Sequence, residues 1–224
     1  MPAKDNVTDI KLIAFDLDGT LVDRTVYIWQ TLHDHFACDV KRREQAKADF
    51  FAGRISYADW FAHDLVLLRE RGATHEAMLE CFADLHPVIG AEEVLSTLAE
   101  RGYRLAVISG SLDILLDHFF PTHPFSHVLI NRLDFDADGR IQGGTATPYD
   151  IAGKADGLME LARREGLTLA QCAFVGDNVN DLDVMAVAGL AIGMNVKHAD
   201  VAQAADLILE SAEIRRLLDI FPDE

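Results

Sequence analysis

Two carboxylates, Asp16 and Asp18, stand two positions apart in the stretch KLIAFDLDGTLVD, residues 11–23. The apolar run Leu12 to Phe15 leads straight into the first, and a Gly-Thr turn follows the second. Ending a buried strand on two like charges is unfavourable unless something answers them. Three further polar clusters offer that answer. YRLAVISGS ends in Ser109-Gly110-Ser111 ahead of a helical pattern, and CAFVGDNVND ends in Asp177 and Asn178, with Asp181 opening the next helix. Lys154 stands at the start of another helical pattern. If the strands lie parallel, all these groups meet beyond their carboxyl ends, where open α/β sheets bind ligands. Crowded carboxylates call for a divalent cation, and hard oxygen ligands with room for water and phosphate select Mg2+. Ser109 and the amides around Gly110 form an anion seat at a helix N-terminus, and Lys154 adds a compact positive charge. The combination suits phosphoryl transfer, in which positioning and charge neutralisation do most of the catalysis. Taken singly, each residue also has an ordinary structural reading, a strand-end Asp as a cap and Ser-Gly as a turn. Their joint order along the chain is what favours chemistry.

Positioning these groups requires a parallel sheet. Short apolar runs at Leu12–Asp16, Leu105–Ser109, His127–Asn131, Cys172–Gly176, Leu190–Gly193 and Asp206–Leu209 read as strands. Helical patterns at Ala91–Glu100, Asp113–Phe119, Lys154–Glu165 and Asp181–Ala188 lie between them, with Gly166 and Gly189 placed to close two helices. The fold class expected is α/β, a Rossmann-like parallel sheet flanked by helices. Residues 24–87 break the rhythm and carry three apolar stripes at helical spacing: Val26, Trp29, Leu32, Phe36; Trp60, Phe61, Leu65, Leu68; and Met78, Leu79, Phe82, Leu85. The expected division is an α/β core domain of residues 1–23 and 88–224 with an inserted all-helical cap domain of residues 24–87.

The 224 residues are half hydrophobic and carry a net charge of −17. Such a field repels nucleic acid and anionic membranes, so neither is an expected partner. A small anionic substrate is compatible if local donors or a metal reverse the field at the site. No apolar run reaches the length of a membrane span, and MPAKDNVTDIK is too polar for a signal peptide. Cys38, Cys81 and Cys172 are widely spaced and form no CxxC pair, which predicts reduced thiols and a cytoplasmic protein.

FDLDGTLV resembles the first motif of the haloacid dehalogenase superfamily, Asp-x-Asp-x-Thr, and Ser109, Lys154 and GDNVND resemble its second, third and fourth motifs in the same order. AVISGSLD, INRLDFDADGRIQG and AGRISYADWF are similar to the phosphoserine phosphatase-like branch. The resemblance implies a Mg2+-dependent phosphate monoester hydrolase acting on a small phosphorylated metabolite. In it Asp16 forms an aspartyl-phosphate, and Asp18 serves as acid and then base. Asp16, the main-chain carbonyl of Asp18, and Asp177 hold the metal, with Asp181 just outside. Ser109, Gly110, Lys154 and Asn180 hold the phosphoryl oxygens. Asp18 argues against dehalogenase chemistry, while a phosphomutase fits it as well.

Two family features are missing. The branch carries a Glu nine residues after the nucleophile for the substrate amine, where this chain has Thr25. Its cap Arg, which grips the substrate carboxylate, aligns with Asp64. Phosphoserine is therefore not the expected substrate, and Thr25, Phe51, Tyr57 and Asp64 are the expected pocket wall. Phosphoserine phosphatase proper remains the alternative, and so does a non-catalytic phosphate-binding homologue, although such a protein would more readily have lost Asp16, Asp18 or Lys154. A receiver-like phosphoacceptor would lack the helical insert and the Asp-x-Asp spacing.

Two other signals compete. Asp134 to Asp138 opens like a Ca2+ loop, yet Thr145 stands where the bidentate Glu belongs, so a hairpin with an Asp-Gly turn is the better reading. His123 and His127 read as a solvated loop, and His33 and His35, two apart on a helix, face different ways.

Overall fold

The computed structural model describes residues 9–151 and 153–223, so the polar stretch MPAKDNVT lies outside the described residues. The sheet has seven strands in the order β6 (Ile141–Thr145), β5 (His127–Phe135), β4 (Arg104–Leu112), β1 (Leu12–Phe15), β7 (Cys172–Gly176), β8 (Leu190–Met194) and β9 (Leu207–Leu209). All neighbours pair in parallel except β6, which returns antiparallel to β5. β1 lies inside the sheet, and its side chains alternate between two apolar layers. Ile13 and Phe15 join Leu95, Val107 and Leu115 on one face, while Leu12 and Ala14 join Leu158, Leu161 and Val184 on the other. A strand covered on both faces must be apolar throughout, which is why LIAF reads as an unbroken run.

The first layer includes α5 (Ala91–Glu100) and α6 (Asp113–Phe119); the second includes α7 (Lys154–Glu165), α8 (Leu182–Val187) and α9 (Ala199–Ala204). Gly166 closes α7 at φ +68°, as its position after Glu165 predicts. Gly189 does not act this way: α8 ends in extended backbone at Ala188. A Cβ on Gly189 would collide with the Ala170 carbonyl, so close backbone approach explains this glycine.

Four helices lie between β1 and α5: α1 (Ile28–His35), α2 (Val40–Phe51), α3 (Tyr57–Glu70) and α4 (His75–Cys81). A two-stranded ribbon at their root pairs β2 (Val22–Asp23) with β3 (His86–Pro87). Asp39 caps α2 by accepting from the Lys41 and Arg42 amides, and Ser56 with Asp59 forms a capping box on α3. Leu32, Leu65, Leu68, Met78 and Phe82 bury into the same apolar cluster as Phe15, so the insert shares its core with the sheet. Val26 departs from its expected stripe; it precedes α1 and is exposed.

β4 runs past Ser109 to Leu112, with a register shift between Ile108 and Leu112 that displaces the Ser-Gly-Ser segment from regular pairing. The Asp134–Asp138 segment is the expected hairpin. The Asp136 carboxylate accepts from the Asp138 and Arg140 amides at 2.9 and 2.8 Å, and Asp138 pairs with Arg140. His127 corrects the loop reading, because it begins β5 and its Nε2 meets Glu165 at 2.6 Å. All three cysteines are free.

Candidate active site

β1 delivers Asp16 and Asp18 to the carboxyl edge of the sheet, where both are buried. The Asp16 amide donates to the Val175 carbonyl of β7 at 2.9 Å, which continues the ladder and fixes the first acid. The Lys154 ammonium lies 2.8 Å from Asp16 Oδ1 and 2.6 Å from Asp181 Oδ1. Burial alone would lower the Lys154 pKa, but Asp16, Asp181 and Asp150 outweigh it and hold the lysine charged. Asp181 Oδ2 accepts from the Asp177 and Asn178 amides at 3.0 and 3.1 Å, and burial pushes its carboxyl up to about 6.

Asp177 is the least satisfied member. Thr20 Oγ1 approaches its Oδ1 at 3.5 Å, while its buried Oδ2 has no hydrogen-bond partner. Burial, then Asp16 and Asp181, pushes its pKa up to about 8. Oxygens of Asp16, Asp177 and Asp181 lie within 4.8 Å of one another. Three carboxyl groups crowd around the Lys154 ammonium, and the orphaned Asp177 oxygen faces an uncompensated desolvation cost. A hard divalent cation satisfies both conditions, so the residues fit Mg2+. The loop after Asp18 is equally constrained: Gly19 sits at φ +78°, and a Cβ there would strike the Asp177 carboxylate.

Asp18 has a different environment from Asp16. Its Oδ2 accepts from the Ile28 amide at 2.6 Å and its Oδ1 from Ser111 Oγ at 2.7 Å. Burial, reinforced by the Asp16 charge, pushes its carboxyl up to about 7. Two acids two residues apart thus have different partners, one bound to a lysine and the other to neutral donors.

Beside them, the Ser109 hydroxyl accepts from the Ser111 amide at 3.2 Å. The Gly110 carbonyl accepts from Trp29 Nε1 at 2.9 Å and Asn131 Nδ2 at 2.7 Å, and that same amide nitrogen reaches the Tyr57 hydroxyl at 2.9 Å. A Cβ on Gly110 would run into the Asp150 carboxylate, so the loop carrying Asp150 packs directly on this turn.

A cavity of about 440 Å3 opens over these groups. Asp16, Asp18, Ser109, Gly110 and Asn180 line it from the sheet edge, while Phe51, Tyr57 and Asp64 line it from the helical insert. Lys154, Asp177 and Asp181 are not part of its lining. They are buried around Asp16. Thr25 must be corrected. It is buried away from the cavity and its hydroxyl pairs with that of Thr31 at 3.0 Å, an internal partner in place of a ligand. Sequence reasoning missed Ser111, Asp150, Trp29 and Arg43, which also line the cavity. Ser111 was legible as the second hydroxyl of Ser-Gly-Ser, and Trp29 only as a core aromatic. Nothing in the local pattern singled out Asp150 or Arg43.

A family model described as haloacid dehalogenase-like hydrolase matches residues 10–189, and the chain belongs to that family. It is 28% identical over 218 residues to a phosphoserine phosphatase of Methanocaldococcus jannaschii, covering 93% of this chain and 96% of the relative. A phosphoserine phosphatase of Mycobacterium tuberculosis is 29% identical over 201 residues, 87% of this chain and 47% of the relative. The chain thus spans about half the length of some curated relatives, including 56% of the Archaeoglobus fulgidus phosphoserine phosphatase. Among solved structures, a substrate-bound phosphoserine phosphatase complex superposes with a TM-score of 0.73 at 25% identity, covering 95% of this chain and 99% of that one. A phospho-aspartyl intermediate analogue of phosphoserine phosphatase gives a TM-score of 0.70 at 25% identity, with 93% and 99% covered. Among the described residues, no helix is long and apolar enough to cross a membrane.

Proposed function

We propose that the chain hydrolyses a small phosphate monoester through a phosphoryl group carried on Asp16, with residues 24–87 acting as the cap over the reaction. The observation that supports this most is the contrast between the two acids: Asp16 is paired to buried Lys154, while Asp18 accepts only from the neutral Ser111 hydroxyl and Ile28 amide, and burial, with the Asp16 charge, raises its carboxyl to about 7. The Asp16 carboxylate attacks phosphorus in line with the leaving oxygen, forming an Oδ–P bond as the ester P–O bond breaks. The Asp18 carboxyl gives its proton to the departing alkoxide. As a carboxylate, it then takes a proton from the water that attacks the aspartyl-phosphate, which frees inorganic phosphate and restores both acids. Ser109 and the amides around Gly110 bind the phosphoryl oxygens, and the Asn180 side-chain NH2 donates to them from the cavity lining. Lys154 orients Asp16 and supplies positive charge behind it. Asp16 and Asp177, with the Asp18 carbonyl, would hold Mg2+ and Asp181 would support them; when bound, the ion neutralises charge on the transferring group.

The names of the relatives favour phosphoserine as substrate; Asp64, in register with the carboxylate-binding Arg of that branch, lies on the cavity wall with Arg43 Nε 3.9 Å from its Oδ2. The three free thiols fit a reducing, cytoplasmic setting. The test is release of phosphate from an aryl phosphate with Mg2+ present. Loss of release on chelation and in Asp16→Asn supports the reading; release that survives both refutes it.

A further inference from the structure

The cavity over Asp16 is larger than phosphate and a short alcohol require. At about 440 Å3 it falls in the range of about 300–1,000 Å3 typical of sites that bury drug-sized molecules. Its walls are strongly aromatic, with Trp29, Phe51, Tyr57, Trp60 and Phe61 all contributing. Four large apolar side chains lining it stand in solvent: Val26 at 43% exposure, Tyr27 at 42%, Phe51 at 63% and Val179 at 44%. Exposed apolar surface gathered around one cleft marks a binding site.

α2 brings two cations to the same cavity. Arg43 and Lys47 are four residues apart and so share a helix face. Arg43 is only 13% exposed, yet its Nε has no hydrogen-bond partner and stands 3.9 Å from Asp64 Oδ2, too far for a direct bond. Its Nη1 donates to Gln30. Lys47 is half exposed, with Glu44 at 3.9 Å. Asp64 and Glu44 offer two negative charges against these two positive ones, and the Asp64 carboxylate also faces His33 at 3.5 Å and His63 at 3.8 Å, with its Oδ1 left without a hydrogen-bond partner. A buried guanidinium nitrogen left unbonded is costly, and an incoming anion would satisfy it.

Resting on the phosphatase reading above, we infer that the substrate is a phosphate monoester whose leaving group is a flat aromatic body bearing a second anionic group. The body lies among Trp29, Phe51, Tyr57 and Trp60, and the anion is received by Arg43 and Lys47. A serine-sized leaving group would leave the aromatic wall wet and Arg43 Nε unanswered.

The test compares kcat/KM for benzyl phosphate, 4-carboxybenzyl phosphate and phosphoserine in the presence of Mg2+. The two benzyl alcohols leave alike, so their ratio reads recognition of the carboxylate. Wild type is expected to prefer the carboxylated ester over benzyl phosphate by about tenfold or more, as a charge-assisted contact predicts, and to prefer it over phosphoserine. Arg43→Gln should bring the benzyl ratio close to one, chiefly through KM, and Lys47→Gln should lower it less. If Arg43→Gln does not fold, the wild-type ratio and Lys47→Gln decide. Phosphoserine leading the panel, a wild-type ratio near one, or a ratio unmoved in the folded variants overturns this inference while leaving the phosphatase intact. No turnover of any ester, or turnover that persists in Asp16→Asn, overturns the phosphatase reading and this inference with it.

Discussion

The indole N–H of Trp29, at the start of the helical insert, donates to the Gly110 carbonyl at the end of β4 at 2.9 Å. Asn131 Nδ2 occupies the second acceptor position of the same oxygen at 2.7 Å, so both lone pairs are used and the peptide following Gly110 is held in one orientation. A side chain from the insert thereby sets the turn proposed above to seat the phosphoryl group. Trp29→Phe retains a ring against Phe61, whose centroid lies 5.5 Å away, but removes the donor. The expected result is a loss of about 1 kcal/mol in unfolding free energy and a several-fold fall in kcat/KM. Chemical denaturation and steady-state kinetics read the two effects, and unchanged activity would show that the bond does not position the turn.

Metal affinity should depend on pH in a definite direction. With no ion bound, Asp177 and Asp181 have carboxyls pushed up to about 8 and about 6, mainly by burial. The folded state therefore holds protons that the unfolded chain, with carboxyls near about 4, has released. Stability from these groups is full below about pH 4 and is lost as pH rises through the folded values. Mg2+ must displace the same protons, so one competing proton weakens its binding about tenfold per unit as pH falls below the folded pKa. Calorimetric titration should show this slope, and the thermal shift produced by Mg2+ should be larger near pH 8 than near pH 6. A shift independent of pH would contradict the assignment of Asp177 as a ligand.

Asp18→Asn separates protonation of the leaving group from attack. For alkyl phosphates, turnover is expected to fall by about 100- to 10,000-fold. With 4-nitrophenyl phosphate, whose phenolate leaves without a proton, the first step persists, and rapid-quench experiments should show a burst followed by slow hydrolysis. Equal losses for both ester classes would remove the acid role from Asp18.

Gly19→Ala tests the tight loop that follows Asp18. Holding a non-glycine residue at φ +78° costs about 1–2 kcal/mol, and the added Cβ would press on the Asp177 carboxylate. Weaker Mg2+ binding and a lower melting temperature are expected together. A stability loss with unchanged metal affinity would mean that Asp177 can move away freely.

The ends of β1 and β7 were legible because buried parallel strands are continuous apolar runs, and Asp16 and Asp177 follow directly on them, whereas β4 runs on past Ser109 to Leu112. Lys154 and Asp181 announced themselves as residues at helix starts, although their mutual ion pair at 2.6 Å did not. The wall of the cavity was harder to read, because it depends on which way each insert helix turns its faces. Thr25 lay in register with a family substrate ligand but turns inward to Thr31. Arg43 is one of several charges in KRREQAK, and only the packing of α2 against α3 brings it to Asp64. Asp150 sits in a segment with no periodicity, so only the fold could bring it against Gly110.

The most direct measurement is mass spectrometry of protein quenched in acid during turnover of a phosphate ester with Mg2+. The phosphoryl group is expected on the peptide containing Asp16, and both the adduct and phosphate release should vanish in Asp16→Asn. An adduct on any other side chain, or hydrolysis that continues in that variant, would contradict the account.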